Sequence, residues 1–162
     1  MWTTFFHKLL HARYNIFMSE EYFVENLVSS NLVFPWRTKN PTYFFREVKI
    51  THNIADVVYF EIKNNKIGFI TAIEAKLKNW QKALQQANRN KLFANRVYVA
   101  VPEKYSSAPL ANISSFRKHS VGLIVLSNDN ISKVYYHPPI NNSRSLSHVK
   151  TVENKLINLA LV

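Results

Sequence analysis

The sequence predicts an α/β protein with a mixed β-sheet flanked by α-helices. Three observations carry this. Residues 43–77 hold three successive segments rich in β-branched and aromatic residues, as strands are. Residues 80–89 then switch to helical periodicity. Beyond them, two short apolar segments at 96–101 and 121–126 flank another helical stretch, the pattern of strands buried on both faces. A meander of strands followed by alternating helices and strands gives a sheet of mixed direction covered by helices.

Each element has its own signal. In residues 1–18, Phe5, Phe6, Leu9, Leu10, Tyr14 and Phe17 recur at helical spacing. They predict an amphipathic helix that docks on the core or on a second copy of the chain. His7, Lys8, His11 and Arg13 break the apolar run that a secretory signal needs. Ser19-Glu20-Glu21 predicts a helix start, with a capping serine and acids in the first turn. Tyr22, Phe23, Leu27 and Val28 give that helix its apolar side, and Pro35 to Pro41 reads as a loop. Strands follow over Tyr43–Ile50, Ile54–Ile62 and Ile67–Leu77, the last two joined by the polar turn Lys63–Lys66. Trp80, Ala83, Leu84 and Ala87 line one face of the next helix, while Lys78, Lys82, Gln85 and Arg89 take another.

A strand at Arg96–Val101, a helix at Leu110–Lys118 and a strand at Val121–Leu126 come next. Ser127–Asn130 turns into a last strand, Ile131–Tyr136, which Pro138 and Pro139 end. Asn141–His148 is polar and reads as mobile, and Thr151–Leu161 as a short final helix. The expected organisation is one domain over 1–162, with its core at 43–136 and a basic tail at 141–162.

Composition narrows the function. Lys and Arg total 21 against 10 acids, a net charge of +11, which suits an anionic partner such as nucleic acid. With no cysteine, disulfides, iron–sulfur clusters, cysteine zinc sites and thiol catalysis are excluded. Two glycines, Gly68 and Gly122, cannot build a phosphate-cradling loop or a dinucleotide fingerprint. No apolar run reaches the ~18 residues of a membrane span. No membrane partner is expected, and a cytoplasmic location is.

Acids are scarce, so their placement is informative. Glu47, Asp56, Glu61 and Glu74 precede a stretch that holds Lys76, Lys78, Lys82, Arg89, Lys91 and Arg96 but no acid. Asp56 and Glu74 both sit in apolar strand surroundings, where an unpaired charge costs several kcal/mol. Their midpoint is Asn65, half a residue from the centre of the Lys63–Lys66 turn. A simple hairpin therefore places them opposite each other or one position away, with Cβ atoms ~4.5–5.5 Å apart if opposed. Two like charges at that spacing repel, and a divalent cation would resolve the repulsion. Strand alternation puts Lys76 on the face of Glu74. Asp56, Glu74 and the carbonyl of Ala75 form a hard-oxygen set for Mg²⁺, with Mn²⁺ as substitute. A metal there would polarise a phosphoryl oxygen and acidify water, with Lys76 orienting that water or stabilising negative charge.

Asp56, 17 residues, then Glu74-Ala75-Lys76 with apolar flanks resembles the PD-(D/E)xK nuclease superfamily, the restriction-endonuclease-like fold. The helix from Trp80 to Arg89, with Gln85-Gln86-Ala87, is similar to the helix that follows the motif in many members. The resemblance covers residues 43–101, and more loosely those up to 136. It implies a divalent-metal-dependent nuclease acting on nucleic acid, with Asp56 and Glu74 as metal ligands and Lys76 as catalytic lysine; no particular substrate carries over, and a DNA endonuclease is the leading expectation. Glu47 is similar to the additional upstream acid of some members; Glu21 or Glu25 is the alternative. Ala55 stands where the motif's proline would be. Lys78, Lys82, Gln86 and Arg89 are the expected nucleic-acid contacts. A homodimer would suit cutting of both strands. The alternative is a nucleic-acid-binding module that keeps the fold without hydrolysis.

Overall fold

A computed structural model describes residues 19–32 and 42–160. The helix expected over 1–18 and the loop expected over 35–41 lie outside the described residues. The fold is α/β. Six strands form one sheet in chain order: β1 (Thr42–Ile50), β2 (Asn53–Lys63), β3 (Lys66–Ala75), β4 (Arg96–Pro102), β5 (Gly122–Leu126) and β6 (Ser132–Tyr136). β1, β2 and β3 are antiparallel, β3, β4 and β5 are parallel, and β6 returns antiparallel to β5.

The β2–β3 turn sets the register that matters most. Asn64 and Asn65 both adopt left-handed backbone angles, with φ of 50° and 58°. Two-residue hairpins with a type I′ turn need such angles at both positions, and asparagine tolerates them best after glycine. Next to the turn, Lys63 faces Lys66 and Ile62 faces Ile67; beyond an irregularity at Glu61, Phe60 faces Ile70 and Val57 faces Ile73. That one-residue bulge supplies the half-residue offset between the turn's centre and the Asp56–Glu74 midpoint. Asp56 thus arrives opposite Glu74, one step past the last ladder pair.

Both faces of the sheet are covered. On one, α1 (Glu20–Ser29) buries Phe23, Val24 and Leu27 against Val57, Ile73, Ala75, Tyr98 and Ala100. Ser19 caps it, its Oγ accepting from the Tyr22 N–H at 3.1 Å. On the other face, α2 (Trp80–Asn90) buries Trp80, Ala83, Leu84 and Ala87, with Trp80 stacked on Phe116 at 5.5 Å between centroids. All four are the apolar positions read from the sequence.

The helix expected at Leu110–Lys118 is two short helices, α3 (Ser107–Ala111) and α4 (Ile113–His119). Asn112 divides them, because its side chain bonds back to the Ala108 carbonyl at 2.9 Å and its N–H is shared between Ala108 and Pro109. The last helix, α5 (Leu146–Ala160), starts five residues earlier than expected and buries Val152 and Leu156. The segment before it is pinned rather than loose. Asn141 donates to the carbonyls of Lys91 and Ala94, and its N–H bonds the Asn95 carbonyl. Residues 141–160 are therefore packed structure, not a free tail.

Candidate active site

The sheet places two carboxylates at one point by ending a ladder. β2 stays paired with β3 up to Val57–Ile73 and then separates. At the next position the Asp56 carboxylate, rather than β2 backbone, takes the Ala75 N–H, with 2.7 Å between Ala75 N and Asp56 Oδ2. Glu74 is 1% exposed. One of its oxygens, Oε1, accepts from Asn90 Nδ2 of α2 at 2.6 Å. The other, Oε2, is buried and has no hydrogen-bond partner. The Asp56 and Glu74 carboxyls lie close enough for each to shift the other's titration.

Lys76 lies just past the end of β3. The alternation that would align it with Glu74 stops at Ala75, and Lys76 turns toward α1, where its Nζ meets Glu20 Oε2 at 2.6 Å. Its charge still acts on both Asp56 and Glu74. The site therefore straddles the sheet's end: α2 holds Glu74 from one face, and the first turn of α1 holds Lys76 from the other.

The electrostatics are those of a crowded anionic pair. Burial first, and then the adjacent Asp56 charge, push the Glu74 carboxyl up from 4.5 to about 8, against the Asn90 hydrogen bond that favours its charged form. Burial also raises Asp56, against the lowering effects of the Ala75 N–H and Lys76. Such a pair holds a proton between its members or a cation. The buried, unpartnered Glu74 oxygen beside a second carboxylate fits a hard divalent cation. Among the described residues no cluster of three or more His, Asp or Glu side chains could hold a metal ion. The described residues would thus offer two carboxylates, which suits Mg²⁺, an ion that keeps several waters.

Glu47 takes a different place. It lies on β1 opposite Asp56 of β2, exposed and in a left-handed conformation with φ of 52°, which interrupts the ladder between Arg46–Val57 and Val48–Ala55. The acid whose charge acts on Asp56, besides Glu74, is Glu20. Glu25 pairs with Arg46 at 3.5 Å, and Glu21 is exposed. Ala75 contributes its N–H to Asp56, and its side chain packs under α1.

Of the expected nucleic-acid contacts, Gln86 and Arg89 line a cleft of about 230 Å³ together with Glu74, Asn90, His52 and Asn53. Gln86 Oε1 is buried there without a partner. Lys82 is exposed on α2, and exposed Lys78 lies 5.4 Å from the Tyr105 ring centroid. Sequence reasoning left an acid at 20–25 open as the alternative to Glu47 without singling out Glu20, and it missed Asn90. Asn90 extends the apolar stripe of α2 by one turn, three residues after Ala87, and a polar residue on such a stripe was the available signal.

No protein-family model and no curated protein matches the chain.

Proposed function

We propose that the chain is a divalent-metal-dependent nuclease that hydrolyses phosphodiester bonds, DNA first, with the restriction-endonuclease-like architecture that its motif implies. The observation that carries this is the buried, unpartnered Glu74 oxygen against the Asp56 carboxylate, with a lysine charge beside them. The separation of β2 from β3 at Asp56, the order Asp56, Glu74, Lys76, and an acid from the preceding helix all agree with that reading.

In this account Asp56 and Glu74 hold a divalent cation, which when bound supplies Lewis-acid polarisation and an acidified water. The Ala75 N–H fixes the Asp56 carboxylate, leaving its other oxygen for the ion. Asn90 holds Glu74 through Oε1 and leaves the buried Oε2 without a partner. Lys76 supplies positive charge where negative charge develops on the phosphoryl group. Glu20 holds the Lys76 ammonium in place. Basic side chains on α2 and past β3 hold the phosphate backbone. Cutting both strands of a duplex would need two copies of the site related by a two-fold axis; the N-terminal segment expected at such an interface lies outside the described residues.

The test is cleavage of supercoiled plasmid and of labelled single-stranded DNA in Mg²⁺, Mn²⁺ or EDTA. Cutting in either metal that disappears in EDTA and in Glu74→Ala is expected. Binding that is salt-sensitive, indifferent to EDTA and to Glu74→Ala, and unaccompanied by cleavage of any substrate would replace the nuclease with a non-catalytic binding module.

A further inference from the structure

The parallel strands β3 and β4 end side by side. A tight 3₁₀ turn, Glu103–Tyr105, follows β4 there. The half-buried Tyr105 ring has two ammonium groups over it: Lys78 at 5.4 Å from the centroid and Lys104 at 5.5 Å. Both lysines are exposed, and neither forms an ion pair among the described residues. Glu103, the acid of the same turn, has no ion-pair partner there either. Lys78 is two residues past Lys76, so this ring sits one strand over from the carboxylate pair.

Two ammonium groups gathered on one aromatic ring, with no carboxylate between them, are placed for an anion that also has a flat face to offer. A nucleotide has both. The contact of an exposed ammonium with a ring is weak and readily exchanged for a phosphate. A base stacked on the ring gains more than the lysines lose. We propose that Tyr105, Lys78 and Lys104 form a stacking platform for an unpaired nucleotide of the substrate, with the base on Tyr105 and the flanking phosphates on the two lysines. Inside a duplex both faces of each base are covered by its neighbours, so the platform selects nucleic acid with a single-stranded segment or a frayed end at the cut. This rests on the nuclease reading for its substrate, and binding can be measured apart from cleavage.

The experiment is fluorescence titration of the full chain, in EDTA, with a single-stranded oligonucleotide carrying 2-aminopurine and with its duplex. Tyr105→Ala should weaken single-strand binding by about 5- to 150-fold, the range of one lost base stack. Tyr105→Phe should restore it, and duplex affinity should change by less than about threefold, since no stack is lost there. Replacing both Lys78 and Lys104 by Ala should flatten the single-strand salt dependence by roughly 0.7 per lysine. Circular dichroism checks that each variant is folded. Single-strand affinity unchanged in folded Tyr105→Ala, equal losses on single strand and duplex, or no oligonucleotide binding by the wild type would each overturn the platform. Tyr105-dependent binding without metal-dependent cleavage would uphold the platform and refute the nuclease. Metal-dependent cleavage with Tyr105-independent binding would do the reverse.

Discussion

Glu74 is the residue on which the chemistry and the stability of the site meet. Its carboxyl is raised from 4.5 to about 8 by burial and by Asp56. A folded-state value above the unfolded one means that the folded chain binds the extra proton. The resulting stability is full below the unfolded value, declines as pH rises, and is gone above the folded value. The metal-free wild type should therefore be less stable at pH 8.5 than at pH 5.5, and Glu74→Gln should flatten that difference. Denaturant midpoints at the two pH values check this, and a wild type as stable at 8.5 as at 5.5 would contradict it. Asn90 favours the charged form of Glu74. Asn90→Ala should move the rising limb of metal-dependent cleavage to higher pH, because Glu74 must ionise to hold the cation, which a pH–rate profile would show, whereas a purely structural role would lower the rate equally at every pH. Gly122 answers to packing instead. A Cβ there would lie 2.1 Å from Tyr98 Cδ1, in a pair of facing strands. Gly122→Ala should destabilise the fold by about 1–3 kcal/mol, the usual size of overpacking, as thermal unfolding would show.

Among the elements, the β2–β3 hairpin and α1 decide where the site lies, and they differ in how much the sequence reveals. The hairpin was legible because its turn is polar, its strands are apolar and its register follows from counting residues. The bulge at Gly68–Phe69, opposite Glu61, was not, although it brings Asp56 opposite Glu74. The start of α1 was legible from Ser19-Glu20-Glu21, but its docking was not. Helical periodicity shows which face is apolar, not which end of which strand the first turn will meet. The sequence therefore favoured Glu47 as the upstream acid, since it precedes Asp56 in the chain, while packing brings Glu20 to Lys76. The break at Asn112 and the early start of α5 were hidden for a similar reason: side-chain bonds back to the chain, at Ala108 and Lys91, set them. Glu20→Gln should lower cleavage about 10- to 100-fold, the usual loss when a partner that orients a functional group is removed, with little change in stability. Ser19→Ala should cost about 1 kcal/mol through the lost cap. Cleavage and unfolding measured on both variants separate the two roles, and a Glu20→Gln enzyme as active as the wild type would remove Glu20 from the site.

At the scale of the whole molecule, a mixed sheet covered on both faces ends in a pair of acids within a chain of net charge +11. On the proposed reading the positive charge would supply affinity for a polyanion, and the acid pair would place negative charge where a divalent cation is needed. Nucleic-acid affinity should accordingly fall steeply with salt, linearly in log–log form, as phosphate contacts release counterions. The acid pair is the central claim, and Mn²⁺ binding tests it without any substrate. Titration of Mn²⁺ into the metal-free chain at pH 8, followed by electron paramagnetic resonance, should show saturable binding that Asp56→Asn and Glu74→Gln each abolish. Folded wild type that leaves Mn²⁺ free, or binding that survives both substitutions, would contradict the account.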